Sequence, residues 1–324
     1  MFVAVIGFLI FTAVISICVG QYSISPEEIA QIITGGLKGE MSYKVFFTLR
    51  LPRVLMAVMA GIGLGIAGSV YQTIFKNPLA SPDIIGVAPG ANLGAAIAIV
   101  FMGASTVAMV SGAFTGGIAV VILVMLLVRV LPGNTTATYV LAGIVMSSVS
   151  KAFIMILKFF ADPANELAAI EFWTMGSFAS VTSRKVITIF PIFFFSLAGL
   201  ILLRRQIELM SLNEDECRML GVRLSQIRIT ILALSTLMVA SIISITGLIS
   251  FIGLIAPHIA RMMLKRNNFA ATAMSGLIGA VVMVISDTLA RCVYSAEIPI
   301  SILTTFIGVP VLVYFMYQQK ENLL

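Results

Sequence analysis

Lys151 and Lys158 stand seven residues apart in an otherwise apolar run that begins near Thr138 and ends at Phe160. That spacing puts two ammonium groups on one face of a helix. At 1.5 Å per residue, Lys151 lies about 20 Å along that helix from Thr138. Ionisable side chains inside an apolar bundle are costly and mark pathways. The shared face is therefore expected to offer positive charge to an anionic cargo. The plainer alternative is that Lys158 reaches headgroups and Lys151 pairs locally. Asp287 and Arg291 are four apart in the acid-first order that suits a helix ion pair, and Asp287 reads as structural. Two further cations, in Arg50-Leu51-Pro52-Arg53, head a run of about 20 apolar residues.

Other chemistry finds little support. His258 is the only histidine and has no ligand partner nearby, whereas a metal site needs several. It also argues against an intramembrane zinc enzyme built on HExxH. Cys18, Cys217 and Cys292 show no pairing pattern and read as small apolar fillers. No GxxxxGK[ST] loop occurs. Gly63-Leu64-Gly65-Ile66-Ala67-Gly68 matches the dinucleotide fingerprint in letters, but it lies inside an apolar run with no strand before it. Helix packing explains it better: Gly61, Gly65 and Ser69 recur every four residues and let a neighbouring helix come close. Gly112 with Gly116, and Gly276 with Ala280, repeat the device. No catalytic residue, metal or cofactor is expected.

These side chains must be held by membrane helices. The chain of 324 residues is 60% hydrophobic and 10% charged, with mean hydropathy +1.09. Soluble proteins carry about 25% charged residues. The net charge of +6 is no nucleic-acid signal, because the basic residues sit at the ends of apolar runs. Hydropathy gives ten spans at roughly 2–19, 51–73, 84–103, 107–130, 138–160, 186–203, 228–246, 251–265, 270–291 and 299–317. The seventh and eighth nearly fuse, so nine spans are also defensible. The apolar start, without a basic leader, reads as a retained first span and not a signal peptide. Ten spans put both termini on one side, and a modest excess of basic residues favours the cytoplasm.

Three stretches lie between spans. Residues 23–48 form an outer segment, in which Ser25-Pro26-Glu27-Glu28 resembles a capped helix start. Residues 164–180 are expected to form an outer half-helix. The inner loop, 206–226, is the sharpest element. Ser211-Leu212-Asn213-Glu214 fits a capping box. Glu214, Asp215 and Glu216 suit a first turn, Arg218 a last turn, and Gly221 the position after it. Such a helix–glycine–helix unit makes a knob for a groove on a cytoplasmic partner.

Taken in order, these blocks resemble the FecCD family of ABC-transporter permeases. The resemblance rests on Arg50-Leu51-Pro52-Arg53, the Gly61–Gly68 span, Asn77-Pro78-Leu79-Ala80 with Gly86-Val87, and Leu220-Gly221-Val222. It continues through 247–261, Asp287, Ala290-Arg291, Glu297-Ile298-Pro299-Ile300 and Gly308-Val309-Pro310. It implies an all-α polytopic fold of about ten transmembrane helices, the ABC type II importer permease fold, in one domain over 1–324. It also implies a bacterial inner-membrane location with both termini inside, a second permease subunit (a copy or a paralogue), a cytoplasmic ATPase dimer and an external substrate-binding protein. Arg50, Arg53 and Arg291 would receive acidic residues of that binding protein. Leu212, Glu214, Asp215, Arg218, Leu220, Gly221 and Arg223 would couple to the ATPases. The fifth and tenth spans and the helix after the fifth would line the pathway, which adds Trp173 to Lys151 and Lys158. The expected function is import of an iron(III)–siderophore complex by alternating access, with ATP hydrolysed by the partner subunits. Haem, cobalamin or an oxyanion is the alternative cargo. A channel or ion-coupled carrier is the rival class, and it would transport without ATPases.

Overall fold

The computed structural model describes residues 1–20, 22–131, 136–212, 216–217, 224–294 and 296–321. Among the described residues there is helix and irregular chain but no strand. The helices are α1 (Phe2–Cys18), α2 (Pro26–Ile33), α3 (Met41–Val45), α4 (Leu51–Ile74), α5 (Val87–Met102), α6 (Thr106–Val130), α7 (Thr136–Phe160), α8 (Ala168–Met175), α9 (Ser183–Leu202) and α10 (Arg204–Leu209). They continue as α11 (Leu224–Thr246), α12 (Ile252–Leu264), α13 (Phe269–Cys292) and α14 (Ile300–Glu321). Among the described residues, six helical stretches are long and apolar enough to cross a membrane, and four shorter apolar helices accompany them. Together they fall on the ten expected spans.

Local chemistry sets the boundaries. Ser25 caps α2 through a full capping box, its hydroxyl accepting from the Glu28 amide while the Glu28 carboxylate accepts from the Ser25 amide. The Ser25 amide and then the Ser42 hydroxyl hold the Glu28 carboxyl below the usual range. Ser105, Thr182 and Asn268 cap α6, α9 and α13 with side-chain oxygens. The seventh and eighth spans are separate helices. α11 stops at Gly247 and α12 starts at Phe251, both with φ +68°.

The second span begins earlier than hydropathy places it. The chain is helical without interruption over Met41–Ile74. Pro52 lacks an amide hydrogen and crowds the carbonyl four residues back. A π-helical turn over Phe46–Arg50 widens the helix just before that proline and lets it continue.

The core sits where α4, α11 and α13 meet. Most of α4 is buried, as are long stretches of α11 and α13. The α4–α13 crossing follows the four-residue repeat. A Cβ at Gly61 would collide with Gly279 and Ala280, and one at Gly65 with the Ser275 carbonyl. Ser69 exchanges a 2.9 Å hydrogen bond with Thr272. Gly90 and Gly94 of α5 meet Gly116 and Gly112 of α6 in the same way. Small residues let backbones touch, and in lipid that dispersion contact replaces the hydrophobic drive. By contrast α7 and α9 bury only 22% and 28% of their most apolar windows, so much of their surface is open.

Candidate functional site

At one end of the bundle the head of α4, the end of α13 and the end of α1 converge. Arg53 donates from Nε to Asp287 Oδ1 at 2.8 Å and from Nη1 to Glu297 Oε1 at 2.6 Å. Arg291 stands 3.3 Å from the other Asp287 oxygen, an ion pair without an aligned hydrogen bond. Its Nη2 donates to the Ser16 carbonyl and hydroxyl, both at 2.8 Å. Arg50 donates to the carbonyls of Val19 and Tyr22. Two guanidinium groups thus occupy the C-terminal end of α1, where the helix dipole favours cations. All three arginines are buried. They line an open cavity of about 320 Å³ that also touches Tyr22, Phe178, Ala179 and Glu297. Sequence spacing places Arg50 beside Arg53 but does not show Glu297 among them. Its signal was an acid in the short polar break before the last span.

A second feature lies inside the bundle. After α4 the chain turns at Lys76, with φ +47°, and folds back. Pro82–Ile85 form one 3-10 turn, and Gly86 opens α5. The Ile84 carbonyl fills the space at Gly143, about 10 Å into α7 from its start. Pro82 packs on Gly253 at the start of α12, and Gly253 in turn fits Gly68 of α4. Residues 77–86 therefore re-enter the bundle and meet the break at 247–251. Irregular backbone at such depth is tolerated where protein or a water-filled cavity surrounds it. Hydropathy starts the third span at residue 84 because the end of the re-entrant turn, Ile84-Ile85-Gly86, is apolar, whereas Asn77, Ser81 and Asp83 before it are polar. The Asp83 side chain is exposed in a crevice lined by Leu64, Val239, Ile243 and Phe251, within electrostatic reach of Lys151.

Lys151 is exposed on α7 and makes no ion pair with a described residue. Lys158 is different: it binds Glu171 of α8 at 2.7 Å. Trp173 is partly buried on α8 and packs against the core. α8 is preceded by a π-helical turn over Pro163–Leu167, capped by Asp162, and it ends at Gly176. Gly176 and Gly247 cross so closely that a Cβ on either would strike the other segment's backbone.

At the opposite end, Lys76 Nζ donates to the Leu212 carbonyl at 2.5 Å. Ser211 donates to the Glu208 carbonyl at 2.7 Å, and Cys217 to that of Leu209 at 3.1 Å. Arg261 holds the Gln72 side-chain oxygen, and the Gln72 amide reaches the carbonyls of Gly253 and Leu254. Glu214, Asp215, Arg218, Leu220, Gly221 and Arg223 lie outside the described residues. His258 meets the Leu254 carbonyl at 2.9 Å and packs on Phe315.

Comparison with known proteins decides the family. The FecCD transport family model matches residues 8–318. The chain belongs to the FecCD transport family. It is 36% identical over 318 residues to the molybdate import system permease of Haemophilus influenzae, covering 97% of this chain and 94% of the relative. The Fe(3+)-citrate import permease of Bacillus subtilis is 32% identical over 317 residues, covering 96% and 92%. A solved inward-facing ABC transporter, assigned to the metal-chelate type, superposes with TM-score 0.88 at 35% identity, covering 97% of this chain and 98% of that one. This FecCD chain is thus an ABC importer permease, an all-α polytopic membrane protein of the importer permease fold.

Proposed function

We propose that this FecCD permease forms, with a second permease subunit, the membrane pathway of an ATP-driven importer for an iron(III)–siderophore complex. Lys151 carries the pathway reading. An exposed ammonium in the middle of a membrane helix, within electrostatic reach of Asp83 in the crevice, requires water around both groups, and lipid supplies none. The open face of α7 therefore fronts an aqueous route, with α8, Trp173 and α14 beside it. Lys158 ties α8 to α7 through Glu171. The arginine end faces the binding protein, whose carboxylates Arg50, Arg53 and Arg291 attract and orient. Charges at such a surface steer encounter and fix register. The other end meets the ATPase dimer through the loop 206–226. On this reading 23–48 and 164–180 are external, both termini are cytoplasmic, and the chain is one permease domain in a bacterial inner membrane.

Ferric complexes of catecholate and hydroxycarboxylate chelators are anionic and bulky, which suits a lysine beside a wide uncharged face, and the iron-citrate relative supports that cargo. A molybdate-like oxyanion is the second reading, favoured by the 36% identity to the molybdate permease. Uptake by the whole transporter reconstituted with its binding protein separates them. We expect saturable, ATP-dependent entry of ferric siderophore and none of molybdate. The reverse result would replace the cargo while leaving the permease assignment in place.

A further inference from the structure

The arginine cluster presents a contradiction: side chains meant to receive a partner's acids already hold acids of their own chain. Asp287 is fully buried between Arg53 and Arg291, and a carboxylate so enclosed has no route out. Glu297 differs, because its side chain is 35% exposed and it sits at the mouth of the cavity. It also lies outside any helix, in the connection from α13 to α14. Arg50 binds the neutral oxygens of Val19 and Tyr22, so its charge stays available to an incoming anion, whereas Arg291 shares the buried Asp287 with Arg53. Arg53 alone is occupied by an acid that is able to leave.

We infer that Glu297 is a built-in stand-in for the partner's carboxylate, holding Arg53 until the binding protein docks and displaces it. The inference rests on the docking role proposed above for this cluster. It adds a consequence for the pathway. The connection carrying Glu297 is anchored by the Ile298 amide on the Ala290 carbonyl at 3.1 Å, and the Ile300 amide donates to the Gly176 carbonyl at 3.0 Å. Releasing Glu297 leaves the connection held by those two backbone bonds alone, and the second of them joins it to the end of α8. Docking at the arginines is thereby passed to α14 and α8, the helices placed beside the route. A pair that water reaches from the carboxylate side is weak enough to exchange and still bias an equilibrium.

The test is binding of the purified binding protein to the complete transporter in nanodiscs, at low and high salt. Glu297→Gln is expected to tighten docking about two- to fivefold at low salt, the range of an ion pair that water reaches on one side, and to raise ATP hydrolysis in the absence of binding protein. Unchanged or weaker docking by Glu297→Gln would overturn the inference. Glu297→Ala removes the same charge and serves if the amide variant fails to assemble with the ATPases. Arg50→Gln, measured alongside, isolates the docking role. Loss of affinity there together with an inert Glu297→Gln sinks the stand-in and keeps the docking site. An Arg50→Gln variant that docks normally sinks the docking role itself.

Discussion

Single side chains carry most of the argument, and Asp287 is the one with the most to lose. It stands between two guanidinium groups with no exposure. Asp287→Ala leaves Arg53 and Arg291 buried without their shared counter-charge, and breaking a buried pair costs about 3 kcal/mol. A lower midpoint of thermal unfolding in detergent is expected; a midpoint equal to wild type would show that Glu297 and water suffice. Lys151 tests function, not stability. Lys151→Glu should cut uptake of an anionic cargo roughly tenfold, the effect of about 1.4 kcal/mol, and Lys151→Arg should restore much of it. Equal uptake by all three proteins would remove Lys151 from the route.

At the scale of elements, the glycine repeat of α4 makes a sharp forecast. Gly65→Leu forces a side chain into the Ser275 carbonyl and should cost about 1–3 kcal/mol, as overpacking does. Gly7→Leu meets nothing within 4 Å and should leave thermal stability unchanged. If both variants melt alike, close α4–α13 contact is not what holds the bundle. The cap of α2 adds a pH effect. Glu28 has a depressed folded pKa, so its contribution is present above the ordinary carboxylate range and is lost as pH drops below about 4. Lower protection factors for the amides over Ile29–Ile33 at low pH, each referenced to the intrinsic exchange rate at that pH, are the readout. These elements also show what sequence makes legible. The four-residue repeat of small residues and the capping box are local patterns, readable in one dimension. The re-entrant turn at 77–86 and the pairing of Arg53 with Glu297 are not. Both depend on chain segments that meet only after folding, and hydropathy scores only the apolar end of the re-entrant turn, from residue 84, as part of a span. Hydropathy starts the second span at residue 51, yet the helix runs through Pro52 from Met41 because the π-turn before it absorbs the clash.

The whole molecule joins two ends through the packed block of α4, α11 and α13. At one end Arg50 and Arg291 fasten α1 to the neck of α4 and α13. At the other, Lys76 ties the re-entrant turn to the loop expected to meet the ATPases. Lys76→Met should lower uptake per ATP hydrolysed while hydrolysis itself continues, because motion of the loop would no longer pull the turn that reaches the crevice at Asp83. Uptake and hydrolysis falling in step would place the tie elsewhere. The open side of α7 has one last implication, for the life of the chain in a cell. Synthesised without a companion subunit, it would bring an ammonium against hydrocarbon, and the bilayer would thin or flood to hydrate it. Orphan copies should therefore be short-lived, and quality-control proteolysis, more than transcription, would set the ratio of subunits in the membrane.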